Sequence, residues 1–210
     1  MDNIIRRIRS FYPMSDEALQ ILVSCLKQHT FPAKTKLINA GKFDRQVYFI
    51  EEGITRSFII HDGREITTWF SAEGDATCGS WDLYRNQKGF EYVETLEETI
   101  AFSISINALN KLYTQHIDIA NWMRVLQQEN FLWLQEMHIN RLVLPVKDRY
   151  VRLVSKFPKL LQRVNLGYIA SYLGTTLPTL SKIRSEVCAQ ISPNDLSADA
   201  TPSLSIRSVT

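Results

Sequence analysis

The chain has 210 residues, of which 45% are hydrophobic and 22% are charged, as is typical of soluble globular proteins. This length allows one large domain or two small ones, each with its own core. No apolar run approaches membrane-spanning length, and the N-terminal residues MDNIIRRIRS lack an apolar signal core, so we predict a cytoplasmic protein with no membrane partner. The three cysteines are far apart and do not indicate a disulfide framework, a zinc site or an iron–sulfur cluster.

The formal net charge of +2 is unevenly distributed along the chain. Between residues 40 and 100, twelve acidic residues oppose six basic ones, a net charge of −6. Between residues 145 and 185 the net charge is +7, because a single acidic residue opposes eight basic ones. The eight basic residues are Lys147, Arg149, Arg152, Lys156, Lys159, Arg163, Lys182 and Arg184. This basic segment suits phosphate binding, although a solvated helix face has the same composition.

The first half of the chain has the pattern of one helix followed by many short strands. Ser15 can cap a helix whose first turn carries two acidic residues. From about residue 31 to residue 104, strand-like runs recur between turn signals roughly every ten residues. Residues 61–64, His-Asp-Gly-Arg, are typical of a hairpin tip, since Asp-Gly favours a tight turn. We therefore predict one antiparallel β-barrel of short strands.

A long helix is predicted from Ile117 to Val143, and Pro145 breaks the chain after it. Along this helix, residues spaced alternately by four and three form a heptad seam, which is typical of paired helices. The predicted homodimer interface is this seam, Ile119, Met123, Leu126, Asn130, Trp133 and Met137. A second apolar set, which includes Leu132 and Leu134, lies off the seam and is expected to cover the barrel. The alternative is a monomeric helix that packs on two sides.

Residues 165–187, NLGYIASYLGTTLPTLSKIRSEV, contain two helical patterns around one tight turn. Gly174 stands where the first helix must end, because glycine can adopt the left-handed conformation. Thr176 can cap the second helix, and Pro178 lies in its first turn, where no intrahelical donor is lost. The layout is typical of a helix-turn-helix, although an ordinary helical hairpin shares it.

These patterns divide the chain into four parts within an α+β fold class. Residues 1–116 are predicted to form a barrel with N-terminal helices, and residues 117–144 are predicted to form a long dimerisation helix. Residues 145–191 form the helix-turn-helix domain. Residues 192–210 lose periodicity, are rich in Ser, Pro, Asp and Ala, and are predicted to be a disordered tail.

Barrel, long helix, proline break and basic helix-turn-helix, in this order, resemble the cyclic AMP receptor protein (Crp/Fnr) family of bacterial transcription regulators. The resemblance covers about residues 15–188 and is most specific in residues 169–184, IASYLGTTLPTLSKIR. In the barrel it rests on the motifs VYFIEEG, HDGRE and Gly74-Asp75. It implies a cyclic-nucleotide-binding-like jelly roll, which makes residues 1–116 an effector-sensing domain. It also implies a homodimer, double-stranded DNA as partner and RNA polymerase as a further candidate partner. The family also implies a winged helix, but residues 192–210 show no clear hairpin for the wing.

The resemblance implies a recognition helix that begins at Leu177. Its base-contacting positions fall on Leu177, Pro178, Ser181 and Lys182. Lys182 keeps the basic character usual there, whereas Leu177 and Pro178 cannot hydrogen-bond a base edge through their side chains. The predicted phosphate-contacting residues are Asn165, Thr176, Thr179, Arg184 and Lys156. The first three match the family's phosphate-facing positions, and the two cations contribute charge.

The nucleotide pocket departs from the family's cyclic-AMP-binding pattern. Ser80 stands where those members have a glutamate for the ribose, and their Arg-Ser pair for the phosphate falls near residues 89–90, Gly-Phe. A cation reaches this position only if Arg85 or Lys88 bends in. The predicted effector pocket is lined by Ser80, Trp81, Gly89, Phe90, Tyr92, Leu134 and Gln135. Because this pocket is apolar, we predict that the protein does not respond to cyclic AMP. The pocket is expected either to bind an apolar or uncharged effector or to be filled by its own side chains.

The leading hypothesis is a homodimeric, DNA-binding transcription regulator. Leu177, Pro178 and the missing wing favour an alternative, an effector-sensing or scaffold protein with weak or lost DNA binding; the basic charge opposes it. A third class, a barrel enzyme of the cupin kind, needs several His and carboxylate ligands inside the barrel. His61 is the single histidine between residues 31 and 104, and it lies at a predicted turn tip. Neither catalysis nor a bound cofactor or metal is therefore predicted.

Overall fold

The computed structural model of the protein describes residues 1–190, with side chains described as far as Val187. The predicted tail and the position of a wing lie outside these residues. The helices are α1 Asp2–Phe11, α2 Asp16–Ser24, α3 Ser80–Arg85, α4 Ile106–Gln115, α5 Ile117–Val143, α6 Val146–Lys156, α7 Leu160–Arg163, α8 Leu166–Tyr172 and α9 Leu177–Gln190. The strands are β1 Lys27–Phe31, β2 Lys36–Ile38, β3 Gln46–Glu52, β4 Thr55–His61, β5 Arg64–Ser71, β6 Ala76–Cys78, β7 Tyr92–Thr95 and β8 Thr99–Ser105.

The strands form two antiparallel sheets of four strands each, in the orders β1-β8-β3-β6 and β2-β7-β4-β5. The predicted antiparallel pairing of short strands is confirmed, but the predicted barrel is wrong: across residues 1–190 no strand pairing joins one sheet to the other. Strands β2 and β6 have three residues each. Each pairs with one neighbouring strand of its sheet, β7 and β3 respectively, and is therefore an edge strand. Regularly spaced turns fit a two-sheet sandwich as well as a barrel, which is why the sequence did not separate the two.

The hairpin predicted at residues 61–64 is confirmed and joins β4 to β5. His61 pairs with Arg64, and the two residues between them adopt positive φ angles, 49° for Asp62 and 71° for Gly63. Two successive left-handed residues give the turn that matches the twist of paired strands.

Helices α1, α2 and α4 and the first turns of α5 cover the outer face of the first sheet. The shared core contains Ile4, Leu22, Phe49, Leu109 and Trp122, each almost fully buried. Ser15 caps α2 as predicted, because its hydroxyl accepts a hydrogen bond from the amide of Ala18. Helix α5 has 27 residues, and its bounds agree with the sequence prediction.

Helices α6 to α9 build a second core after the break at Pro145. Its central residues are Tyr150, Leu153, Leu160, Ile169 and Leu180. Ile54, at the turn between β3 and β4, is 2% exposed and belongs to this same core. The C-terminal helices therefore lie directly against the second sheet. No helix among the described residues is long and apolar enough to cross a membrane.

Candidate DNA-reading helix and effector pocket

A four-residue turn connects α8 to α9 and sets their relative direction. Gly174 has a φ angle of 66°, the left-handed conformation predicted for it, and the amide of Thr175 donates to the carbonyl of Ala170 at 2.9 Å. The hydroxyl of Thr176 accepts a hydrogen bond from the amide of Thr179 at 3.4 Å, which caps the start of α9 as predicted. Local side-chain and backbone bonds therefore fix where α9 begins.

One face of α9 is buried and the opposite face is free. Leu180 is fully buried against Ile169 and Ala170 of α8. The four predicted base-contacting residues all lie on the exposed side: Leu177, Pro178, Ser181 and Lys182. Positions one helical turn apart share a face, so the structure brings these four side chains together. Arg184 is also exposed on α9.

The remaining predicted phosphate contacts already take part in internal bonds. Asn165 caps α8, because its side-chain oxygen accepts from the amide of Gly167 at 2.7 Å. The hydroxyl of Thr179 lies 2.9 Å from that of Thr176. The Nζ atom of Lys156 lies 3.1 Å from the centre of the Trp133 ring, and burial, the largest influence, lowers its pKa. Lys156 is thus directed towards α5.

Other cations of the basic segment are also engaged by the rest of the chain. Arg163 forms ion pairs with Glu73 and Glu97 of the β-sandwich. Arg152 lies 3.9 Å from Glu136 of α5. The sequence therefore overstated the free charge of this segment, because a residue count does not show which cations have partners in the fold.

The predicted effector pocket is only partly assembled. Trp81 and Phe90 contact each other edge to face, with ring centres 5.5 Å apart, and both are exposed. Gly89 lies beside Trp81, and the guanidinium group of Arg85 lies 5.0 Å from the Trp81 ring centre. The amide of Ser80 donates to a carboxylate oxygen of Glu91 at 2.7 Å. These contacts form an aromatic patch with one cation on its face.

Of the other three predicted pocket residues, one packs within the second sheet and two are exposed on α5. Tyr92 stacks on Phe58 with ring centres 5.1 Å apart, and Lys36 lies over the Tyr92 ring. Leu134 and Gln135 are exposed on α5. Two cavities of the described chain, a small one beneath α1 and a larger one at α7, are lined by other residues.

The larger cavity is a cleft of about 520 Å³ at the junction of the β-sandwich and α7. Its lining consists of Asn3, Glu52, Gly53, Glu73, Glu97, Glu98, Lys159 and Arg163. Sequence reasoning missed this cleft. The signal for it was the net charge of −6 between residues 40 and 100, since its four glutamates come from that segment. In the described residues, no group of three or more His, Cys, Asp or Glu side chains is arranged to hold a metal ion.

Solved structures match this arrangement over most of the chain. CLP of Xanthomonas campestris has a TM-score of 0.67 and 16% identity, over 84% of this chain and 93% of CLP. A Crp/Fnr family protein from Eubacterium rectale has a TM-score of 0.65 and 14% identity, over 85% of each chain. A CooA mutant from Carboxydothermus hydrogenoformans has a TM-score of 0.62 and 18% identity, over 84% of this chain and 87% of CooA. The chain has the Crp/Fnr fold.

This likeness confirms the predicted resemblance at the level of the fold. No protein-family model matches the sequence, and a comparison with curated proteins finds no significant match. With identities below one fifth, the Crp/Fnr fold is preserved while the residues of its sites are free to differ. The role of an individual residue in this chain therefore depends on its own contacts and exposure, not on the role of the equivalent residue in a neighbour.

In this Crp/Fnr fold, the predicted seam of α5 faces the protein's own chain. Ile119 and Met123 are 0% and 8% exposed in the N-terminal core, and Leu126 packs against that core. Met137 accepts a hydrogen bond from the Tyr172 hydroxyl at 3.0 Å. Trp133 contacts Phe157 and Lys156, and Asn130 is half-buried. The exposed apolar residues of α5 are others: Ile117, Phe131, Leu132, Leu134, Ile139, Leu142 and Val143.

Proposed function

We propose that the protein is a homodimeric, DNA-binding transcription regulator of the cyclic AMP receptor type. The observation that carries this proposal is the exposed face of α9, on which Leu177, Pro178, Ser181 and Lys182 lie together while Leu180 anchors the helix to α8. A helix presented in this way can enter the major groove, where Lys182 can donate to guanine and Leu177 can contact a thymine methyl group. Asn165, Thr176, Thr179 and Arg184 would contact phosphates.

The exposed apolar face of α5 supports assembly into a dimer. Phe131 and Leu142 are 64% and 71% exposed, and side chains of this size rarely form a contiguous exposed stripe on a monomer. They occupy the same face, because they are eleven residues, close to three helical turns, apart. We therefore place the dimer contact on this face in preference to the predicted seam. A two-fold dimer presents two α9 helices to a palindromic site.

The effector that we propose for this protein is apolar or uncharged and is not cyclic AMP. A cyclic phosphate needs a paired cation once it leaves water, but Arg85 lies on the Trp81 ring and Lys36 on the Tyr92 ring. CLP is described as a c-di-GMP-responsive global regulator, so a neighbour of the same fold responds to a different nucleotide. RNA polymerase is a further proposed partner, and the cytoplasm the proposed location.

The second candidate is an effector-sensing or scaffold protein with weak DNA binding. Its support is the engagement of Lys156 with Trp133 and of Arg163 with two glutamates, which withdraws two cations from a phosphate surface. The apolar side chains of Leu177 and Pro178 add to that support.

Selection of bound sequences from random duplex DNA tests the two candidates. We expect enrichment of a palindromic site with half-sites about one helical turn apart. Lys182→Ala should lose the preference at one base pair per half-site. Lys111→Ala, an exposed lysine of α4, serves as the control and should select the same site. A selection that enriches no sequence would favour the scaffold.

A further inference from the structure

All three guanidinium nitrogens of Arg163 are bound to carboxylates from the β-sandwich. Its Nη1 and Nη2 atoms donate to the two oxygens of Glu73 at 3.1 and 2.6 Å. Its Nε atom donates to Glu97 at 3.1 Å, and Nη2 bonds the same carboxylate. These hydrogen bonds to Glu73, and then those to Glu97, raise the pKa of Arg163. Bidentate pairs of this kind are the strongest ionic contacts that arginine makes.

The backbone around the cleft holds Glu73 in position. The amide of Gly53 donates to the Glu73 carboxylate at 3.2 Å. A β-carbon at residue 53 would lie 2.5 Å from the hydroxyl of Thr99, so glycine is needed for this approach. The Glu73 carboxylate is therefore bound on one side by a backbone amide of the β3–β4 turn and on the other by Arg163.

This ionic contact crosses from the β-sandwich to the entrance of the helix-turn-helix. Glu73 and Glu97 lie in the β5–β6 and β7–β8 turns, whereas Arg163 ends α7, two residues before the cap of α8. Further along α8, the hydroxyl of Ser171 accepts from the amide of Thr67 at 2.9 Å and donates to the carbonyl of Glu65 at 3.3 Å. Strand β5 is an edge of its sheet, so α8 satisfies backbone groups that would otherwise be unpaired.

A carboxylate and a phosphate group can each accept a bidentate pair of hydrogen bonds from one guanidinium group. The guanidinium group of Arg163 cannot bind both at once, because its donors are already directed at Glu73 and Glu97. We infer that Glu73, Glu97 and Arg163 form an acidic clasp, which restrains the helix-turn-helix on the β-sandwich and competes with DNA phosphate for Arg163. The competition with DNA rests on the proposed function, whereas the restraint does not.

The clasp is tested by removing its charges and measuring backbone hydrogen exchange in α7 and α8. Glu73→Gln with Glu97→Gln keeps the shape of both side chains but removes the charge that binds Arg163. Glu52→Gln with Glu98→Gln is the matched control, since it removes two charges from the same cleft without touching Arg163. We expect exchange in α7 and α8 to rise at least several-fold in the first double variant and to stay unchanged in the second. The buried apolar contacts of Ile54 should keep the fold, which far-ultraviolet circular dichroism checks.

Wild type, the two double variants and a further variant, Arg163→Gln, are then titrated with duplex DNA. Opening the clasp should tighten binding by about 5- to 30-fold, the factor expected for releasing an interaction of ordinary strength. Arg163→Gln opens the clasp as well but should bind DNA less tightly than the clasp double variant, because it also lacks the released cation.

Equal exchange in the two double variants would overturn the clasp. If exchange rises but the clasp variant binds DNA no more tightly than the control, the restraint stands and the competition is refuted. If none of the proteins binds duplex DNA while exchange rises, the proposed function fails and the restraint on α7 and α8 stands.

Discussion

The Nζ atom of Lys156 lies 3.1 Å from the centre of the Trp133 ring, which ties the end of α6 to the middle of α5. Phe157 meets the same ring edge to face, with ring centres 6.1 Å apart. A cation over an indole face is attracted by the electron density of the ring, and the attraction grows where water is excluded. The contact joins α6 to α5 across the break at Pro145, and so helps to hold the C-terminal helices against α5.

Removing the Lys156 cation should therefore weaken the junction. Lys156→Ala is expected to lower the free energy of unfolding by about 0.5–2 kcal/mol, the range for a cation on an aromatic ring. Urea denaturation measures it, and Lys111→Ala provides the exposed-lysine control with little change expected. If both variants are equally stable, the ring contact contributes nothing to the fold. Lys156 would then be free to act on phosphate.

A second prediction concerns assembly. Phe131→Glu with Leu142→Glu should convert a dimer into a folded monomer of 24.2 kDa, because both side chains are exposed on the free face of α5. Sedimentation at tens of micromolar protein gives the mass. Met123→Glu should instead destabilise the monomer itself, since a charge in the N-terminal core has no partner. The opposite result would be a stable monomer for the Met123 variant and a dimer for the Phe131/Leu142 variant. It would show that the dimer interface is the predicted seam.

Some features of the fold could be predicted from the sequence alone, whereas others could not. Local chemistry was sufficient for the Ser15 cap, the residue 61–64 hairpin, the left-handed Gly174 and the bounds of α5, because neighbouring residues determine each of them. Apolar residues occur at helical spacing on two faces of α5, so periodicity alone did not decide which face packs into the protein's own core. Burial of Ile119 in the core separates the two faces.

The acidic clasp lay beyond sequence reasoning for a different reason. Arg163 is separated by 66 and 90 residues from its two partners, and no local pattern links positions so far apart. Helices α3 and α7 were missed because six and four residues are too few to show a helical period. Contacts that depend on how distant segments pack needed the three-dimensional structure.

The two exposed cations of α9 should have different effects on DNA binding. Lys182→Ala is expected to cost about 1–3 kcal/mol on the selected site and to relax preference at one base pair per half-site. Arg184→Ala should weaken all duplexes alike and reduce the slope of log affinity against log salt by about 1. Affinity titrations at several salt concentrations, on specific and random duplexes, separate the two. Equal losses on both duplexes for Lys182→Ala would make Lys182 a phosphate contact and leave specificity to DNA shape, Leu177 or Ser181.

The acidic clasp also predicts how the stability of the protein depends on pH. Burial alone would raise the pKa of Glu73, but hydrogen bonds from Arg163, its own amide and that of Gly53, together with the Arg163 charge, hold this pKa below the ordinary value of 4.5. A carboxylate with a lowered pKa contributes stability above its unfolded-state pKa and loses that contribution as pH falls through the lower folded-state value. The other charged groups around Glu73 are Glu52, Glu97, Glu98, Lys159 and Arg163, which line the cleft with it, and Asp75 in the same turn.

Wild type should therefore be more stable than Glu73→Gln by about 0.5–1 kcal/mol above pH 5, since the partners are partly exposed to water. This difference should shrink below pH 4.5 and disappear as Glu73 becomes protonated. Urea denaturation of both proteins between pH 3 and pH 8 measures it. Glu98→Gln, a change in the same cleft that leaves the bonds of Arg163 intact, should track wild type throughout. A Glu73→Gln difference that persists unchanged to pH 3 would show that shape and neutral hydrogen bonding, not charge, hold Arg163 in place.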